Sequence, residues 1–180
     1  MQLATDQFNI CCYCAGTITR GNFHIEHFRP RHSFPDQTYR WQNLLASCET
    51  SYPSPYDVIE LQKHCGDAKD NWFTLGVTIS PLTTGVGSLF RYTLQGKVFP
   101  AKTLRTRKAA VQTTIDKLNL NAPFLIARRA KILGKAAEDS AILTREAWTA
   151  TYLAANAVGV LQEFVSALRY NYDKHWSSRF

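Results

Sequence analysis

The chain has 180 residues, of which 45% are apolar and 19% charged, and its 21 Lys and Arg against 14 Asp and Glu give a formal net charge of +7 and a pI near 9.3. That length suits one ordinary domain, or a compact domain with a helical extension, and that composition excludes a disordered chain. The basic balance favours a polyanionic partner such as nucleic acid or a membrane surface, while the lack of any apolar run of roughly 18 residues excludes a bilayer-spanning helix.

The opening MQLATDQFNI lacks the basic and then apolar layout of a signal peptide, which predicts a cytoplasmic protein. Five cysteines, an odd number in reducing surroundings, point to thiols and metal ligation rather than to disulfides. Cys11 and Cys14 form C-x-x-C, the spacing that lets two thiolates from one tight turn reach one tetrahedral metal with bonds of ~2.3 Å. Sixteen residues, ETSYPSPYDVIELQKH, separate Cys48 from Cys65, so a second pair must carry an insertion. Together Cys11, Cys14, Cys48 and Cys65 would close a structural Zn2+ site. Cys12 leaves the turn on the other side and is expected to pack as a small buried residue. His24, His32 and His64 are alternative ligands for which solvated or structural roles are expected; the competing view of the whole frame is five core cysteines without metal.

Between the cysteine pairs, neighbouring side chains of an extended strand alternate, which puts Glu26 and His27 on opposite sides. Asn43 opens NLL and leads into Cys48. Arg29, Arg31 and Arg40 stand among Phe28, Phe34, Tyr39 and Trp41, a mixture suited to phosphate contacts or to a small aromatic core.

Residues 79–100 predict a β-hairpin, with LFRYTL and KVFP as its strands and QG in its turn. Residues 101–180 predict three helices. Ala110, Val111, Thr114, Ile115 and Leu118 share one face of the first, and Asn121 caps the second with Pro123 in its first turn. Thr144 caps a last block that is apolar at near-helical spacing from Trp148 to Leu168. Arg105, Arg107, Lys108, Arg128, Arg129 and Lys131 form a basic strip expected to be a solvated face. The domain division is therefore 1–78, 79–100 and 101–180, within an α+β fold.

The ordered set C-x-x-C, IEHFRPR, YRWQNLL, SC, HCGDAK and NWF resembles HNH endonucleases with a ββα-metal (His-Me finger) core stapled by four cysteines. With FRYTLQGKVFP and TIDKLNLN it is similar, more narrowly, to the PtuB-like HNH proteins of Septu and retron anti-phage systems, from about residue 7 to residue 129. The resemblance implies hydrolysis of phosphodiester bonds in DNA or RNA. His27 falls on the histidine that serves as general base, a task suited to a group that titrates near ~6.5 in water. Glu26 falls on an acidic position that binds a catalytic Mg2+ or Mn2+. Asn43 falls on the asparagine that ties loop to strand and orients the base, and Lys69 on a lysine near phosphate, with Arg29 and Arg31 as further phosphate contacts. The pattern departs at Gly66, where simpler HNH proteins carry a metal-ligating His or Asn. Asp67 is the expected substitute, with Asp70 next.

The resemblance also implies partners: a PtuA-like ATPase and, in retrons, a reverse transcriptase with its noncoding RNA. The chain itself has no G-x-x-x-x-G-K-[ST] loop, so nucleotide control would come from outside. Two other classes stay open at this point, a non-catalytic zinc-stabilised adaptor that binds nucleic acid or a partner, and a regulatory zinc protein without nucleic-acid affinity.

Overall fold

A computed structural model describes residues 2–50 and 63–180, so the expected insertion between Cys48 and Cys65 lies, from 51 to 62, outside the described residues. The described elements are helices and two small antiparallel sheets, an α+β arrangement. Helix α1 (Gln2–Asp6) leads into the C-x-x-C turn, which a bridge between Ile10 and Thr17 closes. Strand β1 (Phe23–His27) then pairs with β2 (Leu44–Cys48) in a register that sets His24 opposite Ser47 and Glu26 opposite Leu45. Gln7 holds the far edge of β2 as a strand neighbour would, its side-chain amide accepting from Ala46 N at 2.8 Å and donating to Ala46 O at 2.9 Å.

Strand β1 inverts the usual half-buried pattern: Glu26 is 5% exposed whereas Ile25 is 56% exposed. A buried carboxylate is tolerated only when paired and hydrogen-bonded. The pairing comes from α2 (Cys65–Lys69), packed against β2, whose Lys69 is itself buried beneath Glu26.

The expected hairpin forms from β3 (Phe90–Tyr92) and β4 (Val98–Pro100), with Thr93 N bonded to Lys97 O across the turn. Its turn presses on helix α4 (Pro123–Asp139). Gly96 has φ +85, and a Cβ there would collide with Ile126 O and lie 2.9 Å from Ala130 N, so only glycine lets the two backbones meet. Arg129 locks this contact, donating to Gly96 O and Leu120 O while 2% exposed. Arg129 is thus no part of a solvated basic strip, and burial lowers its pKa from the ordinary value.

Two helix expectations need correction. Asn121 does not cap α4, whose N-cap is Ala122; its amide instead accepts from Val98 N and donates to Val98 O, each at 2.9 Å, clamping β4. The C-terminal half holds four α-helices rather than three: α3 (Lys108–Lys117), α4, α5 (Arg145–Tyr152) and α6 (Val165–Asn171), followed by a wide turn at Tyr172–Trp176. Thr144 does cap α5, accepting from Ala147 N at 3.2 Å. The helical spacing beyond Tyr152 is interrupted because Asn156 Oδ1 accepts from Val158 N and Val160 N, and Gly159 turns the chain at φ +75.

The interrupting segment returns to the N-terminal turn, with Leu161 N on Phe8 O at 3.1 Å and Phe164 N on Ala15 O at 2.7 Å. A second tie joins α2 to the end of α3, Cys65 N donating to Leu118 O at 2.8 Å. One core cluster draws on all three stretches, from Ala4 and Ala46 through Val98 to Leu133, Trp148 and Trp176. Among the described residues no helix is long and apolar enough to cross a membrane.

Substituting Gly96 by alanine is expected to lower stability by about 2–5 kcal/mol, the left-handed conformation and the overpacking adding together. Gly134→Ala, in the exposed interior of α4 with open space around it, is expected to raise stability by about 1 kcal/mol. Urea unfolding midpoints of the two variants against the parent read the opposite signs.

Candidate active site and metal centre

The four predicted cysteines converge. Cys11 and Cys14 come from the N-terminal turn, Cys48 ends β2 and Cys65 begins α2 at φ +55, and their Sγ atoms all lie within 4.8 Å of one another. Cys14 Sγ and Cys48 Sγ are 3.8 Å apart, the edge expected of a tetrahedron with ~2.3 Å zinc–sulfur bonds. Backbone amides already face the sulfurs, Gly16 N to Cys14 at 3.3 Å and Cys48 N to Cys11 at 3.4 Å. Against burial, which would raise it, hydrogen bonds from Cys12, Cys14, Cys48 and Cys65 hold the Cys11 thiol well below its ordinary value. Cys48 is pushed up by Cys11 and Cys14, and Cys65 by its burial. Four thiolates this close together would repel one another and need a compensating cation, and the donor set fits Zn2+.

Cys12 stands outside the group and borders an apolar cavity of about 270 Å³ with Leu45, Ile79 and Leu118. None of His24, His32 and His64 replaces a sulfur. His64 lies behind the cluster, Nδ1 3.8 Å from Cys48 Sγ and its ring stacked on Phe124, and burial lowers its pKa.

The acid and the base sit at the other end of the same sheet. His27 Nε2 is 3.0 Å from Thr38 O; a carbonyl only accepts, so Nε2 carries its proton and the neutral ring leaves its lone pair on Nδ1. Asn43, 4% exposed, holds the loop that supplies this carbonyl. Its amide donates to Arg29 O at 3.0 Å and Gln37 O at 3.1 Å, and accepts from Arg29 N at 2.7 Å.

Glu26 Oε1 is occupied by Lys69 Nζ at 2.7 Å and by the Tyr13 hydroxyl at 3.0 Å, which leaves Oε2 facing away from both. Asp67 is fixed in the same manner: its Oδ2 accepts from Thr50 N at 2.6 Å and from the Thr50 hydroxyl. Between the two carboxylates lies the imidazole of His24, Nε2 3.7 Å from Glu26 Oε2 and Nδ1 3.7 Å from Asp67 Oδ1. The neighbouring Glu26 carboxylate raises the His24 pKa, burial opposes the rise, and the Asp67 charge adds to it. His24, Glu26, His27, Arg31, Gly66 and Asp67 all border one open cavity of about 1050 Å³, because β1 ends at His27 and both of its faces reach the rim there. Asp70 is exposed on the same rim.

The three expected phosphate contacts part company. Arg31 is exposed on the cavity wall. Arg29 is exposed but rests over the rings of Phe34 and Phe73 at 5.7 and 5.8 Å. Lys69 does not reach solvent: it is 1% exposed, with its ammonium on Glu26 and, at 3.1 Å, on His27 O. It orients the acid and the strand end instead of a phosphate. The sequence carries a signal for two further groups: His24 and Glu26, two apart in a strand, share a face, and Tyr13 lies within the C-x-x-C turn.

Chelation of a zinc-loaded preparation is expected to release one Zn2+ per chain and to lower the melting temperature steeply, since structural zinc carries folding free energy. Cys12→Ser should keep the metal and Cys65→Ser should lose it, read by a colorimetric zinc assay on each purified variant. Lys69→Met strands a buried carboxylate and is expected to cost about 3–5 kcal/mol, measured by denaturant unfolding.

No family model matches the chain. A curated relative, "Retron Vc95 putative HNH endonuclease" of Vibrio cholerae serotype O1 biovar El Tor, is 29% identical over 136 residues, covering 72% of this chain and 60% of that protein. The chain thus spans less than two thirds of its relative's length. The chain, with its C-x-x-C turn and its strand-borne Glu-His pair, is thus similar to a protein named as an HNH endonuclease.

Proposed function

We propose that the chain is a metal-dependent HNH endonuclease with a ββα-metal core, built from β1, β2 and α2, that hydrolyses phosphodiester bonds in DNA or RNA. His27 Nδ1 takes a proton from a water whose oxygen attacks phosphorus as the bond from phosphorus to the leaving oxygen breaks, while Nε2 keeps its own proton, donated to Thr38 O, which holds the ring in place. Asn43 acts through that loop and touches no substrate. Glu26 and a second donor above Gly66, where Asp67 was expected, would hold a Mg2+ or Mn2+ ion. When bound, that ion supplies positive charge to the phosphate and to the leaving oxygen. Arg31 lies on the cavity wall within reach of a neighbouring phosphate.

The observation that carries the proposal is the meeting of an imidazole with a bare nitrogen and a carboxylate with a bare oxygen at one cavity, in a chain related to a retron HNH protein. Biologically, the protein would be a cytoplasmic effector of an anti-phage system. It would act with a PtuA-like ATPase and, in a retron, with a reverse transcriptase and its RNA. The division into a nuclease part, 1–78, a hairpin, 79–100, and a helical part, 101–180, assigns packing on the nuclease part or partner docking to the last.

Purified protein is expected to cut plasmid DNA, single-stranded DNA or RNA when Mg2+ or Mn2+ is supplied. His27→Ala should reduce the rate by about 10²–10⁴-fold with its circular dichroism unchanged. Salt-sensitive nucleic-acid binding by the parent with no cleavage of any of the three substrates would instead favour the adaptor, which the missing side chain at Gly66 supports.

A further inference from the structure

We infer that His24 is the second protein ligand of the catalytic cation, replacing the side chain that position 66 lacks, and that Asp67 orients His24 and does not ligate. The inference rests on the nuclease proposal and names the donors of the same site.

The first observation is steric. A Cβ built on Gly66 would overlap His24 Nε2 and lie 2.9 Å from its Cε1 and 2.8 Å from Glu26 Oε2. The space a side chain at 66 would fill is therefore already taken, by an imidazole nitrogen beside the free oxygen of Glu26. The donor has moved from helix to strand while the place of donation has stayed. Glycine at 66 is then a requirement of His24, since any larger residue would displace the ring.

The second observation is the way each group is tied. Glu26 has one oxygen held by Lys69 and Tyr13 and the other turned to His24. Nε2 and Oε2 stand 3.7 Å apart, a separation that one cation can bridge with bonds of ~2.0–2.2 Å. Asp67 lies on the far side of the ring, facing Nδ1, with its other oxygen on Thr50. That is the place of the carboxylate that commonly receives the second N–H of a metal-bound histidine, fixing its tautomer and raising its basicity. Histidine, glutamate and aspartate do not bring three donor atoms to one point, as the cysteines do, which agrees with two ligands and one orienting acid. Because the pair offers nitrogen and oxygen, the site should prefer a first-row transition ion to Mg2+, which takes hard oxygen donors.

The test uses the zinc-loaded full chain and Mn2+, with affinity from calorimetry and ligand identity from ¹⁴N coupling in pulsed electron paramagnetic resonance. The parent should show a histidine nitrogen on Mn2+. His24→Ala should lose that coupling and weaken Mn2+ binding at least ~10-fold, while Asp67→Asn keeps the coupling and weakens binding by about 10–100-fold. The pair His24→Ala with Gly66→His should regain the coupling, with zinc content confirming that each variant is folded. Unchanged coupling or unchanged affinity in His24→Ala overturns the inference, as does a parent that binds no Mn2+. If that happens while His27-dependent cleavage persists, the nuclease proposal stands without it. Nitrogen-ligated Mn2+ in a parent that cuts nothing supports the ligand assignment and rejects the nuclease.

Discussion

The convergence of four sulfurs is the constraint on which the rest of this molecule depends. Cys11 and Cys14 come from the N-terminal turn, Cys48 from the end of β2 and Cys65 from the start of α2, so the cluster gathers three pieces that also meet through Gln7 on Ala46 and Gly66 N on the Ser47 hydroxyl. The sheet has two strands of five residues each and α2 has five residues, too few to stand by themselves. A cation held by the four thiolates would convert them into one rigid unit, at the edge of the apolar core that Cys11, Cys48 and Cys65 join.

Rigidity at that end lets the opposite edge carry groups that would be costly elsewhere. Glu26 is buried on β1 because Lys69 of α2 lies under it, and the strand and helix are held at this spacing by the sulfurs a few residues away. A buried ion pair adds little stability when intact and costs much when broken, so its value is directional. It turns one carboxylate oxygen inward and the other outward. Thr50 does the same for Asp67 and Thr38 the same for His27, so every candidate reacting group has one atom anchored and one offered. The C-terminal helices support this frame from behind, through Phe164 against the C-x-x-C turn and Leu118 on the amide of Cys65.

The two ends of the chain were legible to different degrees. Thiol spacing pointed to the four cysteines, and the resemblance carried by IEHFRPR and YRWQNLL pointed to Glu26, His27 and Asn43. The hairpin and the Thr144 cap followed from local turn and capping chemistry. Lys69, Arg129 and Asn121 were misjudged for a common reason: each is a polar residue whose partner lies far off in sequence. Arg129 meets Gly96 and Leu120, Asn121 meets Val98, and Lys69 meets Glu26, and no local pattern announces such a pairing. The break after Tyr152 was hidden because apolar spacing continued through a segment that Asn156 and Gly159 turn aside.

By itself the sequence determined which atoms are available for chemistry: four thiols able to share one metal, an imidazole and a carboxylate in adjacent strand positions, and an amide to brace them. Only the tertiary structure decided where those atoms point. It turned Lys69 inward, set His24 into the gap at Gly66 and placed Asp67 behind it, because burial and pairing across β1, β2 and α2 depend on distances that residue spacing along the chain does not encode.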